Sequence, residues 1–181
     1  MRIVGGEHRG RKLKAPPGRG TRPTSEKVRE GLFDILSASV PGSRFLDLYA
    51  GTGAVGLEAL SRGAAEAVLV ESRGRALSAL RANVLELGVR GARVLPLAAE
   101  RALGVLRAEG FEADVAFCDP PYSDPAWPGL LSRFGELLPM RPGGRLVVEH
   151  EARTAPAVPG GFALVKAYRY GDTGLVVMEK M

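Results

Sequence analysis

Asp119-Pro120-Pro121-Tyr122 is the segment of this 181-residue chain with the most definite chemistry. The apolar run Val115-Ala116-Phe117-Cys118 before it reads as a buried strand. Two prolines, with fixed φ and no N–H, cannot continue a central ladder, so the strand stops there. What remains is a rigid ledge carrying a carboxylate, free backbone carbonyls and a flat ring. Such a ledge suits a planar amine: Asp119 and a prolyl carbonyl accept its hydrogens, and Tyr122 stacks on its π-face. A second set lies upstream, in Asp47-Leu48-Tyr49-Ala50-Gly51-Thr52-Gly53-Ala54-Val55-Gly56. Glycines between a strand and a helix permit a tight turn and a close approach of ligand to backbone. Glu71, twenty residues after Gly51, ends the next strand, where an acid can take both hydroxyls of a ribose.

The glycine pattern by itself also fits a dinucleotide loop, in which a helix N-terminus receives a pyrophosphate. Asp47 weighs against that, because a negative charge four residues before Gly51 repels a phosphate and welcomes an amine or sulfonium. The balance favours S-adenosylmethionine over NAD, with an NAD-dependent oxidoreductase as the alternative of a different class. A pure RNA-binding module would leave Asp119 and Glu71 without a task.

These residues need a frame. From Arg44 the chain alternates short apolar runs with helical patterns, which predicts strands over Arg44–Ala50, Ala67–Glu71, Ala92–Leu97, Ala113–Asp119 and Arg145–Glu149. Helices are predicted over about 54–62, 74–87, 99–109 and 126–138. Such alternation implies right-handed crossovers and a mostly parallel, doubly wound α/β sheet. Phe162–Tyr170 and Leu175–Glu179, joined by Gly171-Asp172-Thr173-Gly174, read as an antiparallel hairpin that brings the sheet to seven strands. A further helix opens at Glu26 behind a Thr24 or Ser25 cap and ends by Pro41-Gly42. If the first and fourth strands flank the switch point of the winding, Asp47, Gly51 and Asp119 face one crevice.

The composition is that of a globular domain, with 45% hydrophobic and 25% charged residues. No stretch approaches the about 20 apolar residues needed to span a bilayer. A single cysteine, Cys118, excludes a disulfide framework and fits a reducing, cytoplasmic setting. One Cys and two distant His residues offer no soft-ligand cluster, so no metal site is expected. Charge is unevenly placed: residues 1–30 carry a net +6 and the remainder a net −1. Residues 1–22 therefore read as a basic arm, ahead of a single catalytic domain over 23–181. Either the arm is solvated and floppy, or Arg9, Arg11, Lys12, Lys14, Arg19 and Arg22 grip nucleic-acid phosphates. Cys118, Trp127 and Phe134 read as packing residues, and Glu149-His150-Glu151 as a solvated strand end.

Taken together, Asp47-x-x-x-Gly51-x-Gly53, Glu71 and Asp119-Pro120-Pro121-Tyr122 resemble the cofactor loop, ribose acid and amino-methylating motif of class I S-adenosylmethionine-dependent methyltransferases. Ile3-Val4-Gly5-Gly6-x-x-Arg9-Gly10-Arg11-Lys12-Leu13, Arg22-Pro23-Thr24-x-x-x-Val28-Arg29-Glu30-x-Leu32-Phe33 and Tyr170-Gly171-Asp172-Thr173 resemble the RsmD-type family in particular. The resemblance implies a Rossmann-like fold. The implied activity is methylation of the N2 amino group of a guanine in bacterial 16S ribosomal RNA, the guanine-966 site of that family. The implied substrate is that RNA, within a small-subunit particle with ribosomal proteins, and the enzyme is expected to be a monomer. The implied catalytic residues are Asp119, Pro120, Pro121 and Tyr122. Cofactor contacts are implied for Asp47, Tyr49, Ala50, Gly51, Thr52, Gly53, Glu71, Ser72 and Ala99. Many relatives place Asp or Asn after the third strand, near the cofactor's adenine; here the segment is Leu97-Ala98-Ala99-Glu100, so the Ala99 backbone or the Glu100 side chain must substitute. Adenine-N6 methylation of DNA or RNA and methylation of a protein glutamine use a related ledge and stand as alternatives within the class.

Overall fold

The computed structural model describes residues 1–15, 25–121 and 127–181. In chain order the elements are α1 (Glu26–Ile35), β1 (Arg44–Leu48), α2 (Ala54–Ser61), β2 (Glu66–Val70), α3 (Gly74–Leu87), β3 (Ala92–Leu95) and α4 (Ala99–Ala108). There follow β4 (Ala113–Cys118), α5 (Trp127–Ser132), α6 (Phe134–Leu137), β5 (Met140–Glu151), β6 (Phe162–Tyr170) and β7 (Thr173–Lys180). The seven strands form one sheet in the order β3-β2-β1-β4-β5-β7-β6. The first five are parallel, and β7 runs antiparallel to both β5 and β6.

Alternation along the strands explains why both faces are covered. Phe45, Leu69, Phe117, Val147 and Val177 point to one face and meet α1, α2 and α3 through Leu32, Leu57 and Leu80. Leu46, Val68, Ala116, Leu146 and Met178 point to the other and meet α4 to α6 through Leu103, Leu130 and Phe134. The winding reverses between β1 and β4, which pair in parallel with Asp47 opposite Phe117. The crevice past their C-terminal ends is where open parallel sheets place ligands.

The element boundaries depart from the sequence expectations in ways that matter at the site. β1 ends at Leu48 instead of Ala50, since Tyr49 has φ 66, a left-handed conformation that a strand cannot hold. β2, β3 and β4 likewise stop one or two residues early, so Glu71, Leu97 and Asp119 sit on loops past the strand ends. The predicted helix over 126–138 is two short helices within its described part. The break lies at Arg133, and Gly135 approaches Gly160 so closely that a Cβ there would lie 2.0 Å from the Gly160 carbonyl oxygen. β5 is longer than expected and pairs with β7 as far as Glu151 and Thr173. That pairing corrects the reading of Glu149-His150-Glu151 as solvated: Glu149 and His150 are both buried, and the His150 ring packs on Gly174.

The N-terminal segment departs most. The floppy alternative fails for residues 1–14, which fold back as a hairpin through an Arg2–Lys12 bridge and bonds between Ile3 and Arg11 and between Leu13 and Met1. Ile3 and Leu13 are buried in the domain core, each worth about 2 kcal/mol of apolar burial. The hairpin turn docks on the end of α2, where Glu7 N–H donates to the Ser61 carbonyl and His8 N–H to Ser61 Oγ. Ser25 caps α1 by accepting the Val28 N–H, as one of the two expected caps; Thr24 lies outside the described residues.

Candidate active site

Three carboxyl side chains converge on the crevice between β1 and β4. Asp47 sits at the penultimate position of β1, 1% exposed, and its Oδ2 accepts the Gly56 N–H at 2.9 Å. Glu71 follows β2 and is also buried; its Oε2 accepts the Gly51 N–H at 2.9 Å and its Oε1 the Arg73 N–H at 2.7 Å. Asp119 follows β4 and is half-buried. Its charge and that of Glu71 both act on Asp47. The structure thus brings Asp47, Gly51, Glu71 and Asp119 to one crevice, as the assumed strand order required.

The glycine loop is held open by its backbone. Gly51 and Gly53 have φ of 58° and 85°, which a side chain at either position would strain. Gly53 N–H closes the turn onto the Ala50 carbonyl and Ala54 opens α2. Because Gly51 N–H already donates to Glu71, the first amide of the loop is not offered to a phosphate. This local fact speaks against the dinucleotide reading of the same glycine pattern.

Asp47 behaves differently from the bare negative charge that its spacing suggested. Its carboxyl is pushed up from 3.8 to about 8. Burial is the largest cause, the hydrogen bond from Gly56 opposes it, and the Asp119 and Glu71 charges push the same way as burial. Without a cation beside it, Asp47 is therefore held largely as the neutral acid at neutral pH, and an arriving cation would favour its ionised form. The linkage can be tested. From about pH 4 to about pH 8 the unfolded chain is ionised at this position while the folded chain stays protonated. Folding stability is lost as pH rises through that window, and the loss is complete above about pH 8. Asp47→Asn keeps an acceptor for Gly56. It is expected to leave Tm unchanged near pH 4 and to raise it progressively toward pH 8. Melting curves of the two unliganded proteins that stay parallel across the window would exclude a buried acid here.

A cavity of about 550 Å³ opens beside these groups. It is lined by Tyr49, Glu71, Ser72, Ala99 and Pro121 of the predicted site residues, and by Val70, Arg73, Leu97, Leu130 and Arg133, which sequence reasoning did not assign to it. Leu97 was within reach as the last residue of the predicted third strand, two past the observed end at Leu95. Leu130 and Arg133 carry no local signal, because they arrive from α5 and its end by tertiary packing. Glu100 forms an ion pair with Arg133 at the rim, both more than half exposed. Tyr49 packs edge-on against Trp127, ring centroids 6.3 Å apart, and Trp127 against Phe134. Cys118 is fully buried and its thiol is pushed well up, first by desolvation, as for an inert core residue. Pro120 is buried and Pro121 exposed at the ledge, and Tyr122 lies outside the described residues. Among those residues, no group of His, Cys, Asp and Glu could hold a metal ion, and no helix is long and apolar enough to cross a membrane.

Of the six basic residues assigned to the arm, Arg9, Arg11, Lys12 and Lys14 stand on the docked hairpin, and Arg19 and Arg22 lie outside the described residues. Arg11 donates to the Glu86 carbonyl and Lys14 pairs with the Glu86 carboxylate, both at 3.0 Å, so two of the cations are partly engaged by α3.

A seven-stranded sheet with this order, an acidic strand end before a glycine loop, and a carboxylate-proline ledge across the switch point define a class I methyltransferase fold. A family model described as conserved hypothetical protein 95 matches residues 1–179. The chain is 37% identical over 169 residues to ribosomal RNA small subunit methyltransferase D of Escherichia coli (strain K12), covering 91% of this chain and 82% of that protein. It is 35% identical over 184 residues to YlbH of Bacillus subtilis (strain 168), covering 99% of each. A solved structure of the hypothetical protein TTHA0928 of Thermus thermophilus superposes with a TM-score of 0.86 at 38% identity, covering 99% of each chain. The chain belongs to this family, the RsmD-type methyltransferases.

Proposed function

We propose that this chain transfers a methyl group from S-adenosylmethionine to the exocyclic N2 amino group of one guanine in 16S ribosomal RNA. The reading rests above all on one observation: the Asp119-Pro120-Pro121 ledge and the Asp47–Gly51–Glu71 cluster share a crevice at the switch point. Family membership supports ribosomal RNA as the substrate.

The residues present fit the cofactor. A cavity of about 550 Å³ is within the roughly 300–1,000 Å³ of small-ligand sites. Asp47 ionises against a cationic group, and Glu71 offers acceptors to a ribose once the half-exposed Arg73 side chain moves aside. Tyr49 and Ser72 line that cavity, Gly51 is tied to Glu71 through its N–H, and Ala50, Thr52 and Gly53 continue the same loop. Ala99 and Glu100 line the cavity at the start of α4, and since Glu100 is engaged by Arg133 the Ala99 backbone is the better candidate to meet the adenine ring. When bound, the cofactor supplies an electrophilic methyl on a sulfonium.

The lone pair of a guanine N2 is delocalised into the ring and attacks poorly. Asp119 and the Pro120 carbonyl accept the two amino hydrogens, tilt the nitrogen toward tetrahedral geometry and stabilise the positive charge that develops on it. The amino nitrogen would take the methyl group that the bound cofactor supplies, the sulfonium leaving as a neutral thioether, and Asp119 or water would accept the extra proton from nitrogen. Tyr122 stacks on the base, which must leave its neighbours to enter the crevice. Arg9, Arg11, Lys12, Lys14, Arg19 and Arg22 hold the RNA backbone, ribosomal proteins help to shape the substrate, and the enzyme acts as a cytoplasmic monomer.

Mass mapping of 16S RNA from a deletion strain tests the reading. One guanine is expected to lose its N2 methyl group and to regain it on complementation with the wild-type chain but not with Asp119→Ala. An unchanged methylation map refutes the RNA target.

A further inference from the structure

Asn83 lies on the inner side of α3, 1% exposed, and its amide serves two distant parts of the chain. Oδ1 accepts the Lys14 N–H at 2.7 Å, and Nδ2 donates to the Lys14 carbonyl at 3.1 Å. These two bonds copy the exchange between paired residues of neighbouring strands. Nδ2 also donates to the carbonyl of Thr52, between the two loop glycines, at 2.9 Å. Both amide hydrogens are thereby used. One turn further along α3, Glu86 takes Lys14 Nζ on its carboxylate and Arg11 on its carbonyl. The end of the basic hairpin and the middle of the glycine loop hang on one buried amide. A buried polar group with its bonds made has few other arrangements, so a restraint on one partner is felt by the other.

Resting on the methyl-donor and RNA readings above, we propose that Asn83 is a positioning residue that links the methyl-donor loop to the RNA-binding arm, so that filling one site steadies the other. A ligand against Gly51–Gly53 restrains Thr52, and the Asn83 amide passes that restraint to the Lys14 backbone. RNA phosphates on Arg9 and Lys12 restrain the same hairpin. Because the link is thermodynamic, it acts equally in both directions. An amide with a merely structural role would hold Lys14 equally well with and without ligand.

Hydrogen–deuterium exchange of the full chain, with and without S-adenosylhomocysteine, separates the two roles. In the wild type, ligand is expected to slow exchange at residues 50–56 and also at residues 11–15. Asn83→Asp keeps the acceptor for the Lys14 N–H and loses both donors; Asn83→Ala loses everything. In both, slowing at 50–56 is expected to persist and slowing at 11–15 to vanish, with KM for RNA rising at least about fivefold. Asn83→Asp retains enough of the pair to fold if Asn83→Ala does not. Slowing at 50–56 with none at 11–15 in the wild type, or unchanged slowing at 11–15 in the variants, overturns the link and leaves the methyl-donor reading intact. No slowing at 50–56 in the wild type overturns both.

Discussion

Asp119→Ala is expected to reduce methyl transfer by about 10²–10³-fold, the usual cost of removing one preorganised partner of a developing charge. The ledge leaves no substitute in place. Pro120 and Pro121 have no N–H and their rings fix φ, and the Asp119 carboxylate just past β4 is the side chain there whose charge acts on Asp47 in the crevice. Cofactor affinity should change less than turnover, because Asp47, Glu71 and the glycine loop belong to β1, β2 and the loops after them, and removing the Asp119 charge favours the ionised form of Asp47. The loss should therefore fall on kcat. Single-turnover transfer of a labelled methyl group into 16S RNA, with cofactor binding titrated separately, checks both statements. Activity within a few-fold of wild type would remove Asp119 from the chemistry.

Arg29→Ala is expected to cost about 3–5 kcal/mol of folding stability, because it leaves a buried carboxylate short of its partner. Arg29 and Glu58 are both fully buried, and their ion pair joins α1 to α2 with Nε to Oε2 at 3.3 Å. Arg29 Nη2 also donates to the Arg2 carbonyl at 2.6 Å, and Glu58 Oε2 accepts the Val4 N–H at 3.3 Å. The pair therefore clamps the N-terminal hairpin as well as the two helices. Arg62, on the other oxygen of Glu58 at 2.8 Å, is partly exposed and softens the loss without cancelling it. A drop in Tm on the order of 10 °C is expected for a chain of this size. Urea unfolding of wild type and variant measures it, and a loss below about 1 kcal/mol would mean that the pair is idle.

Much of this was legible in the order of residues, and the reasons differ by element. The five parallel strands and the terminal hairpin announced themselves because apolar alternation and turn residues are local signals. Asp47, the loop glycines, Glu71 and Asp119 were legible because each must stand at a strand end, a position that sequence spacing reveals. The helix over 126–138 was misjudged because no local signal marks its break at Arg133, and the close approach of Gly135 to Gly160 just after the break is a contact between residues far apart in the chain. Glu149 and His150 were misjudged because their burial is supplied by β7. The docking of the N-terminal hairpin was not legible. Its charge pattern left a solvated arm and a phosphate-gripping arm open, while Ile3 and Leu13 carried a core anchor that no period marks.

The sequence by itself determined the chemical inventory and the class of fold. It named a carboxylate-proline ledge, an acidic glycine loop and an acid past the second strand, because these follow from residue type and local backbone rules. It left open which strands are neighbours and what each charge experiences. The tertiary structure decided both. Pairing β1 with β4 put ledge and loop on one crevice, and burial turned Asp47 from a standing charge into an acid pushed up to about 8. It also decided that the basic hairpin is tied to the glycine loop through Asn83. Sheet order and desolvation both arise from contacts between residues tens of positions apart, and the free energy of such contacts is set by packing that no local pattern encodes.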